Sequence, residues 1–112
     1  LRVVLEAAGA QVSTYASPAA ALAGMAAERP DALIVDVGMP GMDGYDFIRR
    51  LRASAEPSVR DVPAAALTAF ARAEDRTRAL QSGFEMHLSK PVDPGELVAS
   101  VATLVRRARV PR

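Results

Sequence analysis

The pattern of the 112 residues predicts an α/β fold built on a doubly wound parallel sheet. Helix-period and strand-period segments alternate along the chain as α-β-α-β-α-β-α-β-α, joined by short connections of the kind right-handed crossovers use. Residues 32–35 (ALIV) form an unbroken apolar run between Asp31 and Asp36, which suits a strand covered on both faces. The length is that of one domain, residues 1–112, with one core.

Residues 1–8 (LRVVLEAA) read as a helix, with Gly9 supplying its left-handed stop. Residues 11–16 (QVSTYA) alternate β-branched or aromatic with polar side chains and read as a short strand. Ser17 and Pro18 form an N-cap followed by proline at the first helical position. They open an Ala-rich helix to about residue 28, and Pro30 ends it. After the apolar strand at 31–36 comes a Gly- and Pro-rich loop, 37–44 (VGMPGMDG). Residues 44–53 form a helix with Phe47, Ile48 and Leu51 on one face. A polar connection at 54–62 leads through Pro63 to a strand at 64–68. A charged helix at 72–81 is closed by Ser82 and Gly83, followed by a strand at 84–88 and the loop 89–94 (SKPVDP). The last helix, 95–109, turns Leu97, Val98, Val101, Leu104 and Val105 to its apolar side.

Composition narrows the chemistry. Fourteen Lys and Arg against thirteen Asp and Glu leave no basic excess for direct binding of nucleic acid or an anionic membrane. The absence of cysteine removes disulfides and thiolate metal sites. One histidine, His87, excludes a multi-histidine zinc site. Aromatic residues make up 4% and Trp is absent, against a stacking platform for single strands. No apolar run approaches the roughly 18–20 residues of a membrane span and no signal peptide opens the chain, so a cytoplasmic protein is expected.

In a doubly wound sheet the functional groups gather at the carboxyl ends of the strands. Those ends hold Asp36, Thr68 and, one element later, Lys90. A carboxylate can act as nucleophile, while a hydroxyl and an ammonium hold the oxygens of the group it receives. The set suits phosphoryl chemistry.

At this point the chain resembles the receiver domain of the bacterial response-regulator family over essentially its whole length. Asp36-Val37-Gly38-Met39-Pro40-Gly41-Met42-Asp43-Gly44 reproduces the family's D-x-x-M-P-x-M-D-G loop, and Thr68-Ala69 and Lys90-Pro91 follow at 32 and a further 22 residues. The resemblance implies a flavodoxin-like fold with strand order 2-1-3-4-5. It also implies that Asp36 accepts a phosphoryl group from the phosphohistidine of a histidine kinase or histidine phosphotransfer domain. By the same analogy Thr68 bonds the phosphoryl oxygen, Lys90 pairs with the carboxylate and then the phosphate, and the Lys90-Pro91 bond is cis. Ala69 leaves room for the donor, His87 stands where the family carries a switch aromatic, and Asp36 with the Gly38 carbonyl contributes to a Mg²⁺ site. A signalling module rather than an enzyme is expected.

One departure bears on all of this. The family's first strand ends in an acidic pair that completes the Mg²⁺ site, and the chain has no counterpart: Glu74-Asp75 is adjacent but falls in a helix. The domain is therefore expected to be N-terminally incomplete. Strands 11–16 and 31–36 would face a gap of about 10 Å, twice the usual strand spacing of roughly 4.8 Å. Residues ahead of Leu1, a strand donated in a homodimer or by strand exchange, or re-pairing of the sheet would each resolve it.

Plainer roles stand beside these. Asp43 reads as a cap for the following helix, and Met39, Pro40 and Met42 as packing residues. Gly38, Gly41 and Gly44 lack the spacing of a nucleotide fingerprint. His87 is as well explained as a structural histidine, and the charged helix at 72–81 as a solvated face. Two other functions compete: a pseudo-receiver that docks partners without phosphorylation, and an aspartate-nucleophile phosphatase, which Gly38 opposes by standing where a second aspartate is needed. The texture of residues 83–88 and 90–94 is most similar to receivers of hybrid histidine kinases.

Overall fold

The computed structural model describes residues 2–37, 43–69 and 72–109. Its elements run α1 (Arg2–Ala7), α2 (Pro18–Glu28), β1 (Leu33–Asp36), α3 (Gly44–Arg52), α4 (Pro57–Arg60), β2 (Ala64–Thr68), α5 (Ala73–Ser82), β3 (Met86–Ser89) and α6 (Pro94–Arg109). The strands form a parallel sheet in the order β1-β2-β3, with Val35 opposite Ala66 and Ala66 opposite His87. The predicted α/β class and parallel sheet are present.

Alternation along the strands divides the core in two. Val35, Ala64 and Ala66 meet Met25 of α2, with Ile48 and Leu51 of α3 and Ala79 of α5 in the same cluster. On the opposite face Ala65, Leu67 and Leu88 cluster with Leu97 and Leu104 of α6 and with Val4 and Leu5 of α1. All five residues of β2 are buried, and three are alanine, so helices approach both faces of the central strand closely.

Local chemistry explains most boundaries. Ser17 caps α2 by accepting from Ala20 N at 3.1 Å, with Pro18 at the first helical position. Asp93 and Pro94 repeat the device at α6, where Glu96 N donates to Asp93 Oδ2 at 3.1 Å. Gly9 takes φ +97° after α1, the left-handed stop expected of it. Within the polar connection 54–62, Pro57 starts the single turn of α4. The last strand lies at Met86–Ser89 rather than 84–88. Phe84 is instead a buried core residue, set edge-on to Tyr45 with ring centroids 6.4 Å apart.

The predicted strand at 11–16 is not formed. A strand exists through its ladder, and among the described residues none lies beside this segment. Side chains hold it to α2 instead: Ser13 Oγ donates to Glu28, and the Tyr15 phenol is pushed up by desolvation and by Glu28. Nor does the sheet re-pair, since β1 pairs with β2 in sequence order.

Candidate functional site

Because the strands are parallel, Asp36 and Thr68 end β1 and β2 on one edge of the sheet, and Lys90 follows β3 there. The structure brings these three predicted residues to one place. Lys90 Nζ donates to Asp36 Oδ2 across the end of β2, with the two side chains 43% and 23% exposed. The pair is thus open to solvent on one side. Lys90 is anchored from its backbone, whose N–H donates to the Thr68 carbonyl at 2.7 Å, and the Lys90-Pro91 bond is cis. Val37 N donates to the Leu67 carbonyl at 3.0 Å and carries the ladder one residue past Asp36.

Asp36, Leu67, Ala69, Lys90, Pro91 and Val92 line a recess of about 550 Å³. Ala69 is exposed, and its single methyl leaves this mouth uncrowded. Thr68 is buried, and its Oγ1 lies 2.7 Å from His87 Nε2. The pairing follows from register: Ala66 is opposite His87 and Thr68 is two residues on, so both side chains share one face. Chemically the edge offers a carboxylate able to act as nucleophile, an ammonium able to neutralise charge on what it receives, and a hydroxyl a strand away.

The loop after Asp36 is braced where it rejoins α3. Asp43 caps that helix, its Oδ1 accepting from Tyr45 N and Asp46 N at 3.1 Å each, as its plainer reading expects. A Cβ on Gly44 would sit 2.6 Å from Val37 Cγ1 and 2.9 Å from Val37 Cα, so only glycine lets the helix start this close to the β1 end. Gly38, Met39, Pro40, Gly41 and Met42 lie outside the described residues.

Sequence reasoning missed Arg52. Its guanidinium donates to the carbonyls of Gly83, Arg60 and Val62 and to both carboxylate oxygens of Glu85, while Glu85 also accepts from Ala64 N at 2.8 Å. Arg52 and Glu85 are 33 residues apart, so no local pattern signals the pair.

Parallel strands under helical layers, with carboxylate, hydroxyl and ammonium at one carboxyl edge, make an arrangement suited to receiving a phosphoryl group. The family model for the response regulator receiver domain matches residues 1–102, and the chain belongs to that family. It is 48% identical, over 90% of its length and 76% of the relative's, to an uncharacterised 14.6 kDa protein of Leptolyngbya boryana. Its fold is similar to a crystal structure described as a response regulator of Chloroflexus aurantiacus J-10-fl (TM-score 0.85, 36% identity, 95% of this chain and 85% of that one). It is also similar to the receiver domain of a sensor histidine kinase from Pseudomonas aeruginosa PAO1, crystallised with magnesium in its active-site cleft (TM-score 0.80, 32% identity, 94% and 84% covered). Other relatives are much longer, and the chain spans as little as 21% of one of them. The fold is the flavodoxin-like receiver fold, and the domain is a receiver module of two-component signalling. Such modules interact with histidine kinases and phosphotransfer partners and generally bind Mg²⁺.

Mg²⁺ is held through one or two carboxylates with water and phosphate oxygens. The edge supplies Asp36, already bonded to Lys90, and the described residues hold no cluster of three metal-ligating side chains. Asp36 is thus a carboxylate of the kind such an ion takes, and the phosphate oxygens of a bound donor would supply further ligands.

Proposed function

We propose that the chain is a phosphoacceptor, with Asp36 as the residue modified. An Asp36 carboxylate oxygen attacks the phosphorus of a phosphohistidine, the O–P bond forms, the P–N bond breaks, and the imidazole of the donor leaves with the electron pair. Lys90 moves from carboxylate to phosphoryl oxygen, Thr68 donates to another, and Ala69 and Pro91 shape the mouth through which the donor reaches Asp36. The partner is a histidine kinase or histidine phosphotransfer domain, and the domain works in the cytoplasm beside it. Similarity to a kinase-borne receiver supports a place in a hybrid histidine kinase. Mg²⁺ bound with the phosphodonor, with the Gly38 carbonyl as a further ligand, belongs to the same reading. The observation that carries it is the Lys90–Asp36 pair at the open end of β1, with Thr68 one strand away.

The test is incubation with acetyl phosphate and Mg²⁺, followed by intact mass. The protein should gain one phosphoryl group, and Asp36→Asn should reduce the gain at least a hundredfold, because an amide is a poor nucleophile of the same shape. Equal, stable labelling of Asp36→Asn would refute the assignment. One observation favours the pseudo-receiver as a second reading: among the described residues no three His, Asp or Glu side chains gather as a metal site. That reading expects no label on the wild-type protein but retained binding of a partner.

A further inference from the structure

Thr68 and His87 form a direct hydrogen bond whose direction decides what Thr68 can do. A hydroxyl has one proton to give and two lone pairs to offer, whereas an imidazole nitrogen either carries a proton or accepts one. When His87 Nε2 is bare, it accepts the Thr68 proton across the 2.7 Å contact, and that proton is directed at the imidazole. When His87 Nε2 carries a proton, it donates to Thr68 Oγ1 and the hydroxyl hydrogen is released for another acceptor. In imidazolium both nitrogens carry protons, so only the second arrangement survives.

We infer that His87 is a positioning residue, whose protonation turns the Thr68 hydroxyl proton toward a phosphoryl oxygen on Asp36 and so makes phosphoryl capture stronger at low pH. This rests on the phosphoacceptor reading above and adds to it a proton-linked control. Imidazole is the side chain that ordinarily changes charge between about pH 5 and 8. The groove of about 620 Å³ beside His87 brings charged groups from each neighbouring element: Arg72 and Arg76 at α5, Glu96 of α6, and Glu85 ahead of β3. Lys90 follows along the same strand. As classes, guanidinium, ammonium and carboxylate keep their charge across that range, which leaves His87 as the group that switches. Linkage fixes the sign. A phosphoryl group that needs the Thr68 proton favours protonated His87, so phosphorylation raises the proton affinity of His87, and the advantage is lost as pH rises.

The experiment labels wild type, His87→Phe and Thr68→Val with acetyl phosphate between about pH 5.5 and 8 and reads intact mass. Dividing by His87→Phe cancels the pH dependence of the phosphodonor. The ratio of wild type to His87→Phe should fall about fivefold across the range, and the ratio of Thr68→Val to His87→Phe should stay flat. A second measurement needs no variant. His87 is the only histidine in the chain, so its imidazole resonance is unambiguous, and at a fixed pH it should move toward the position of the protonated ring on phosphorylation. A flat wild-type ratio or an unmoved resonance in protein that does take label overturns the role of His87 and leaves the phosphoacceptor reading standing. Absence of label in wild type at every pH overturns that reading, and this one with it.

Discussion

The two ends of the sheet are built for different purposes. At the amino ends of the strands, Arg52 and Glu85 tie together α3, the turn after α4, the start of β2 and the approach to β3, with side chains 22% and 23% exposed. At the carboxyl ends, Lys90 and Asp36 span β2, with the Lys90 side chain 43% exposed. Parallel strands bring this about, since every strand starts at one edge and finishes at the other. Groups that hold the frame can occupy the starting edge without obstructing the finishing edge, where the proposed phosphodonor would approach. The lesson is that stability and chemistry are separated by strand direction.

That separation can be broken by substitution. Arg52→Ala is expected to be the most destabilising of the following, at about 2–4 kcal/mol. It removes the guanidinium from three carbonyls and from a half-buried carboxylate that keeps only its bond from Ala64 N among those described, somewhat below the cost of breaking a fully buried pair. Urea unfolding measures this, and Arg52→Lys should restore little, because one ammonium cannot reproduce a five-donor fork. Phosphoryl uptake by the folded fraction of Arg52→Ala should persist; loss of uptake at full folding would mean that the two ends are coupled after all. Gly44→Ala should follow at about 1–3 kcal/mol, since its methyl meets Val37 side chain and backbone. Unlike Arg52→Ala, it should slow labelling of Asp36, because Val37 adjoins the nucleophile. Asp43→Ala should lower unfolding stability by about 1 kcal/mol through loss of the α3 cap. Leu80→Ser, at a position 45% exposed on α5, should change the melting free energy by less than about 0.5 kcal/mol. If Asp43→Ala proved costlier than Arg52→Ala, the comparison itself would fail.

The candidate site was largely legible from the residues. Asp36, Thr68 and Lys90 each stand at or just beyond a strand end that the apolar runs mark out, and the parallel order then brings them together without further information. His87 was visible as a position, but its bond to Thr68 was not, because it depends on which residue of β3 stands opposite Ala66. A slip of one residue would have turned His87 to the other face.

The segment at 11–16 shows the opposite limit. Its alternation is a fair strand pattern, yet a pattern describes one side chain at a time and a strand needs a neighbour to share its N–H and C=O groups. Here that segment rests on α2 through Ser13, Tyr15 and Glu28 instead.

The sequence by itself determined the alternation of elements, the caps at Ser17 and Asp43, the stop at Gly9 and the three polar residues of the edge, because each depends on near neighbours or on a strand's end. Only the tertiary structure decided the strand register, the Thr68–His87 bond and the Arg52–Glu85 clamp. Those join residues 19 and 33 positions apart, and such contacts are set by how the layers pack, which no local stretch of chain encodes.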